Sequence, residues 1–192
     1  MQIPNFLTHY YEKNDGAFRS MTDDGEERAR EIFTALKQGG KSIKSKFQDF
    51  YVDLRYDVED WLRTEFRKKG GVPVRQNPIY TVLGKCEHFQ KWYEECAKET
   101  IPLSSLKGKQ VSFTYTDSMV SYQLGFQKYL QHTNYEPKEY YGQVYLLEEL
   151  PKIIEQYGLP KGQFRNGKPD YDMYVEVQIW EDLYTNSEYS NR

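Results

Sequence analysis

The chain has 192 residues, and its 26 basic and 29 acidic residues give a formal net charge of -3. This length favours a single domain, and the charge balance lacks the basic field that drives phosphate binding, so no nucleic-acid partner is expected. Tyrosine is unusually frequent, with 18 residues, and aromatic residues make up 16% of the chain. Because each ring buries a large area and a tyrosine keeps a polar hydroxyl, tyrosines are expected in the core and along a surface or cleft.

The N-terminal part predicts a strand followed by a helix. Residues 6–11 form a short apolar and aromatic run, typical of a strand, that is bounded by the turn-forming Asn14-Asp15-Gly16. A helix is predicted after Asp23, a candidate N-cap, and it ends at Gly39-Gly40.

The strongest predicted helix covers residues 47–69. Its apolar residues recur at helical spacing and include Trp61, so one face is expected to pack against the core. The opposite face carries Arg55, Glu59 and Arg63 at i, i+4 spacing, which favours contact with solvent.

The second half of the chain predicts short strands and helices. Strands are expected over residues 79–83, 111–116, 142–145 and 171–181, and helices over residues 88–97 and 148–157. Apolar and polar residues alternate along 171–181, which is typical of a sheet packed on one face. These elements predict an α+β fold with a four- or five-stranded, mostly antiparallel or mixed sheet, packed by one long and two or three shorter helices. Residues 1–183 are expected to form a single domain, followed by a polar C-terminal tail over residues 184–192.

The N-terminus and the cysteines bear on location and metals. Residues 1–5 lack the charged and apolar regions of a signal peptide, no apolar run reaches the roughly 18 residues of a membrane helix, and two cysteines are too few to hold a secreted domain together. A cytoplasmic protein without a membrane partner is therefore expected.

Cys86, His88 and Cys96 lack the paired spacing and the fourth ligand of a structural zinc site, so free thiols and no metal are predicted. No glycine-rich phosphate loop is present, and no cofactor is predicted.

Several stretches resemble one family. They are Pro4-Asn5-Phe6-Leu7-Thr8-His9-Tyr10-Tyr11-Glu12, Pro78-Ile79-Tyr80-Thr81-Val82-Leu83-Gly84, Val111-Ser112-Phe113-Thr114-Tyr115 with Asp117-Ser118-Met119, and Tyr174-Val175-Glu176-Val177-Gln178-Ile179-Trp180. These motifs resemble a family of small uncharacterised bacterial proteins with a P-N-[FY]-L-T-H-Y-Y-E start and a V-S-F-T-Y-x-D-S-M motif. The resemblance spans most of the chain, which implies one domain, but the family has no established activity and therefore implies no reaction.

The candidate catalytic residues are His9, Asp117 and Glu176. A histidine titrates near neutral pH, Asp117 follows a strand end, where functional side chains often lie, and a glutamate in a late strand can act as a general base or bind a hydroxyl. The candidate ligand-binding residues are Tyr10, Tyr11, Tyr115, Ser118 and Gln178. For His9 the alternative is a hydrogen-bonded structural role, and for Asp117 it is a turn in which the carboxylate binds backbone amides. For Glu176 and Gln178 the alternative is ordinary polarity on the outward face of a strand.

Three function classes follow from these residues. The favoured hypothesis is a cytosolic module that binds a small polar molecule in a tyrosine-lined cleft. The first alternative is an enzyme in which His9 and Glu176 supply acid-base or substrate-orienting groups, because the order of such residues loosely resembles that of ADP-ribosyltransferases. The second alternative is a protein-interaction module that uses exposed Tyr and Trp side chains as anchors. A pocket shared by His9, Tyr10, Asp117 and Glu176 would favour the enzyme, and an exposed aromatic patch would favour the interaction module.

Overall fold

The fold is known from a computed structural model, which describes residues 2–40, 43–129, 136–160, 164–165, 168–169 and 172–184. The α-helices of this part are α1 (Glu26–Gly39), α2 (Tyr51–Lys68), α3 (Ser118–Phe126) and α4 (Leu150–Tyr157). The strands are β1 (Phe6–Glu12), β2 (Ile79–Leu83), β3 (Cys96–Pro102), β4 (Val111–Thr114), β5 (Tyr145–Leu146), β6 (Phe164–Arg165), β7 (Lys168–Pro169) and β8 (Glu176–Ile179). Beyond Tyr184 the predicted C-terminal tail lies outside the described residues, as does the first residue of the strand predicted over 171–181.

Six strands form one antiparallel sheet in the order β3-β1-β2-β8-β4-β5, while β6 and β7 pair separately. The α+β class is confirmed, and so is a set of one long and three shorter helices within the described ranges. The expected count of four or five strands is wrong, because the sheet has six. None of the helices in these ranges is long and apolar enough to cross a membrane.

Of the six strands in this sheet, the sequence does not predict β3, which forms one edge; the separate pair β6 and β7 is not predicted either. All seven residues of β3 pair with β1, from Pro102 opposite Phe6 to Cys96 opposite Glu12. The helix predicted over residues 88–97 is wrong: a 3-10 turn, Glu87–Trp92, precedes β3. An edge strand with mostly exposed side chains lacks apolar alternation, so pairing with β1 determines its conformation and local pattern does not.

Helices cover both faces of the sheet. On one face the sheet packs against apolar residues of α4, namely Leu150, Ile153 and Ile154. On the other face Trp180 packs against α2 residues Leu54, Val58, Leu62 and Phe66. The expectation of a sheet packed on one face is therefore wrong, and the polar residues Glu176 and Gln178 of β8 are buried.

The long helix α2 has the predicted apolar face and one unexpected buried charge. Trp61 and Phe66 are buried, which confirms that face. The helix ends where Gly70 adopts φ 91° and the Gly71 amide donates to the Phe66 carbonyl at 2.9 Å, a left-handed ending that suits glycine. Glu59, predicted to face solvent, is only 2% exposed, and this correction leads to the candidate site.

Candidate functional site

A half-open cleft of about 1150 Å³ lies between the sheet and the helices α1 and α2. It is bounded by β1, by the 3-10 turns Ile43–Lys46 and Glu87–Trp92, and by the first residues of α3. Its volume lies slightly above the range of about 300–1,000 Å³ that is typical of small-molecule sites. Five of the predicted site residues line it, namely His9, Tyr10, Tyr11, Asp117 and Glu176.

Aromatic rings from five different segments form one side of the cleft, which we call the aromatic wall. Its members are Phe33, Phe47, Tyr51, Trp92, Phe89, Tyr10 and Tyr174. Each ring contacts another ring of the wall, with centroids 4.7–5.8 Å apart. The Trp92 indole Nε1 is buried and has no hydrogen-bond partner among the described residues, so the wall carries an unsatisfied donor.

His9 is held by the backbone on both sides of its ring. Nδ1 lies 2.8 Å from the Tyr80 carbonyl, and Nε2 accepts a hydrogen bond from the Phe18 amide at 3.1 Å. Because a carbonyl only accepts and an amide only donates, the ring is the neutral tautomer with its proton on Nδ1. Burial lowers the pKa of His9 to about 4. Neither nitrogen is free to exchange a proton with a ligand, and the ring instead fixes Phe18, whose φ is 61°.

The contribution of His9 to stability should fall as the pH is lowered from about 6.5 to about 4. The folded pKa of about 4 lies below the ordinary value of 6.5, so the unfolded chain binds more protons between these pH values and folding weakens as the pH falls. The full contribution is roughly 3 kcal/mol. Urea unfolding of wild type and His9→Gln at several pH values tests this, with the less buried His88→Gln as the control. A stability difference between wild type and His9→Gln that stays constant with pH would contradict the assignment.

Glu176 and Asp117 meet at the inner end of the cleft. Burial, and then the Asp117 carboxylate, raise the pKa of Glu176 to about 8, so its carboxyl group is largely neutral at pH 7. Asp117 caps α3 by accepting from the Val120 amide at 3.0 Å, which agrees with the turn interpretation, and it also accepts from the Tyr174 hydroxyl. The two carboxyl groups therefore have different roles: Asp117 is a fixed acceptor, and Glu176 is a buried acid.

A buried polar chain within the sheet holds Glu176 in place. Gln178 Nε2 donates to Glu176 Oε1 at 3.1 Å, and the Ser112 hydroxyl donates to Gln178 Oε1 at 2.9 Å. Trp180 Nε1 donates in turn to the Ser112 hydroxyl at 2.9 Å. The Ser118 hydroxyl lies close enough to Glu176 to lower its pKa. The hydroxyl oxygen nevertheless makes no hydrogen bond that meets the distance and angle criteria within the described ranges. Neither Gln178 nor Ser118 lines the cleft, so both lie on the side of Glu176 that faces away from it.

The sequence interpretation missed Arg55, which lies in the cleft beside the sheet. Its Nε donates to Glu59 Oε1 at 2.8 Å, and its guanidinium carbon lies 3.7 Å from the Tyr80 ring centroid. Glu59 also accepts from the Tyr80 hydroxyl at 3.2 Å and the Thr22 hydroxyl at 2.7 Å. Burial opposes the charge of Arg55, but Tyr80 and Glu59 raise its pKa above the ordinary value. The i, i+4 spacing of Arg55 and Glu59 was the available signal, although it is equally typical of an exposed face.

Lys44 is the second cation that the sequence interpretation missed. Its Nζ lies 4.2 Å from the centroid of the Tyr93 ring, and the described part of the chain places no carboxylate in ion-pair contact with it. Burial first, and then repulsion from Arg55, lower the pKa of Lys44 to about 8. The pattern of lysines at 41, 44 and 46 gave no indication that Lys44 is partly buried in a cleft.

The remaining predicted ligand residues divide between the cleft and the core. Tyr11 stacks on the His9 ring with centroids 5.4 Å apart and lines the cleft. Tyr115 does not reach it, because its hydroxyl donates to the Tyr157 and Gly158 carbonyls and its ring packs in the core beside α4. Cys86 is buried and Cys96 exposed, and both are free thiols. Within the described ranges no three His, Cys, Asp or Glu side chains are grouped closely enough to hold a metal ion.

Comparisons of the chain with models of protein families, with curated proteins and with solved structures found no match. The resemblance to small bacterial proteins therefore stays a prediction. The fold and the site define an α+β protein with a deep, partly aromatic cleft, and its function has to be argued from the side chains in that cleft.

Proposed function

We propose that this protein binds a small polar molecule in the cleft between the sheet and helices α1 and α2. The observation that carries the proposal is a single cavity of about 1150 Å³ that combines the aromatic wall with two partly buried cations and one buried acid. Apolar and aromatic surface with a few fixed polar groups is the usual composition of a small-molecule site.

The charged groups support a polar ligand. Removing Glu176 from water, and Arg55 and Lys44 partly so, is unfavourable unless each group finds polar partners. Donors without an acceptor leave this desolvation uncompensated. Arg55 Nε is bound to Glu59, but its two terminal nitrogens have no acceptor among the described residues. A ligand with complementary polar atoms would complete these interactions, and its apolar part would contact the aromatic wall.

One observation favours an enzyme as the second candidate. Glu176 is a largely neutral acid beside the Asp117 side chain, and a buried acid that is protonated near neutral pH can act as a general acid. His9 has no place in this candidate, because both ring nitrogens are bonded to backbone atoms. The transferase-like hypothesis therefore depends on Glu176 and Asp117 alone.

Ligand binding is expected to map to the cleft and to weaken when the aromatic wall is shortened. A screen of small polar metabolites by two-dimensional amide NMR should shift resonances of β1, of the turn Glu87–Trp92 and of the start of α3. Replacing Trp92 with leucine should lower the affinity of a bound compound about 3–10-fold, because an aromatic contact is lost. Phe126→Leu is the matched control, since Phe126 is exposed and does not line the cleft.

Two results would contradict the proposal. One is a screen in which no small polar compound binds, and the other is binding that shifts resonances away from the cleft and is unaffected by Trp92→Leu. The enzyme candidate has a separate test, because Glu176→Gln preserves the shape of the neutral acid. That variant should keep ligand binding and lose any turnover that wild type shows.

A further inference from the structure

Two partly buried cations in the cleft have donors that the protein does not use. Lys44 Nζ contacts the face of the Tyr93 ring, and no described carboxylate pairs with it. Arg55 stacks on Tyr80 and uses Nε to bind Glu59, which leaves its terminal nitrogens without a described acceptor. The two side chains are close enough that the charge of Arg55 contributes to lowering the pKa of Lys44.

The acidic groups nearest to the two cations are occupied or largely neutral, except Asp15, whose charge acts on Lys44 but which makes no ion pair with it. Glu59 is bound by three side-chain donors, and Asp117 is bound by a backbone amide and a tyrosine hydroxyl. Glu12, near Lys44, accepts from the Glu94 and Glu95 amides at 2.9 and 2.8 Å. Glu176 is largely protonated at pH 7. Lys44 Nζ and the terminal nitrogens of Arg55 therefore have no carboxylate within hydrogen-bonding distance in the described part of the chain.

We infer that the ligand of this cleft carries an oxyanion, a carboxylate or a phosphate group, which Lys44 Nζ and the terminal nitrogens of Arg55 bind together. A guanidinium group binds either oxyanion through two parallel hydrogen bonds, and an ammonium group adds a point charge. The aromatic wall lies in the same cavity, which suits a ligand whose anionic group is attached to a ring. This inference rests on the proposed ligand-binding role of the cleft.

Four small probes that share a phenyl ring can test the charge preference. Benzoate and phenyl phosphate carry the two oxyanions, benzyl alcohol is neutral, and benzylamine is a cation. In calorimetric titrations at pH 7 and physiological ionic strength, at least one anion should bind about tenfold or more tightly than benzyl alcohol, because a charge-assisted hydrogen bond is replaced by a neutral one. The relative affinity of benzoate and phenyl phosphate identifies which oxyanion the site prefers.

The matched variants are Lys44→Gln and Lys68→Gln, which change the net charge equally. Lys68 lies on α2 outside the cleft, where it pairs with Glu65. Lys44→Gln should weaken binding of the preferred anion about tenfold or more and leave benzyl alcohol unaffected, while Lys68→Gln should change neither. Replacing Arg55 alone would leave the buried Glu59 carboxylate without its cation and would lower the stability of the folded protein. The double variant Arg55→Gln/Glu59→Gln avoids this, and it should also lose the preference for anions.

The outcomes separate the inference from the proposed function. Equal binding of the anion and benzyl alcohol, preference for benzylamine, or equal losses in Lys44→Gln and Lys68→Gln would overturn the oxyanion assignment. In each of these cases the cleft still binds a ligand, and the proposed function stands. If none of the four probes binds at millimolar concentration and the metabolite screen is also negative, both the inference and the proposed function fail.

Discussion

Replacing Glu176 with glutamine is expected to raise the free energy of unfolding at alkaline pH by roughly 5 kcal/mol. The folded pKa of about 8 lies above the ordinary value of 4.5 because the carboxyl group is buried beside Asp117. The folded protein therefore holds a proton that the unfolded chain releases between pH 4.5 and 8. The stability that comes from this group is complete below pH 4.5 and is lost as the pH rises through 8. Glutamine remains neutral throughout and avoids the loss.

Urea unfolding of wild type and Glu176→Gln from mildly acidic to alkaline pH measures this effect. The stability difference between the two proteins should grow with pH and level off above pH 8. Glu155→Gln on the exposed side of α4 is the matched control, and its difference from wild type should stay small. The trend is opposite to the one expected for His9, so the two single variants separate the contributions. A difference that does not change with pH would show that Glu176 is ionised in the folded protein.

The sequence predicts the main elements where the local pattern and the tertiary environment agree. The apolar residues of α2 recur with a helical period and lie in the core, so both the helix and its buried face follow from the sequence. The strand β8 follows in the same way from its alternation, although its observed length is shorter than the predicted range. The edge strand β3 does not follow, because its exposed side chains carry no periodic signal and β1 supplies its hydrogen bonds.

About half of the candidate site follows from the sequence. His9, Asp117 and Glu176 all line the cleft, because strand ends and polar residues in strands are places where such groups are expected. Arg55 and Glu59 could not be found in the same way, since an ion pair with i, i+4 spacing has the same pattern on a solvated face and under a sheet. Their burial comes from contacts with Tyr80 and Thr22, which lie 25 and 33 residues from Arg55 in the sequence.

The role of a polar residue is even harder to predict than its position. His9 was a candidate because histidine titrates near neutral pH, and the structure places it in the cleft wall. Its ring nitrogens are nevertheless bonded to the Tyr80 carbonyl and the Phe18 amide, contacts that depend on how the loop after β1 folds back. Residue type alone does not determine whether a buried histidine serves a ligand or the backbone.

Truncating Trp61 to alanine is expected to lower the free energy of unfolding by about 3–5 kcal/mol, because it removes a large side chain from a packed core. Trp61 is 8% exposed and contacts Tyr122 and Phe126 with ring centroids 5.5 and 5.8 Å apart. The cavity would open between α2 and α3, away from the cleft.

Urea unfolding measures the cost, and Val74→Ala is the control, because Val74 is 60% exposed and its truncation should change stability by less than about 0.5 kcal/mol. Trp61 does not line the cleft, so the folded variant should bind the ligand with wild-type affinity under conditions where it remains folded. A loss of stability below about 1 kcal/mol would show that α2 is not the structural centre of this face. A loss of ligand affinity in a folded Trp61→Ala protein would instead show that the cleft depends on the packing between α2 and α3.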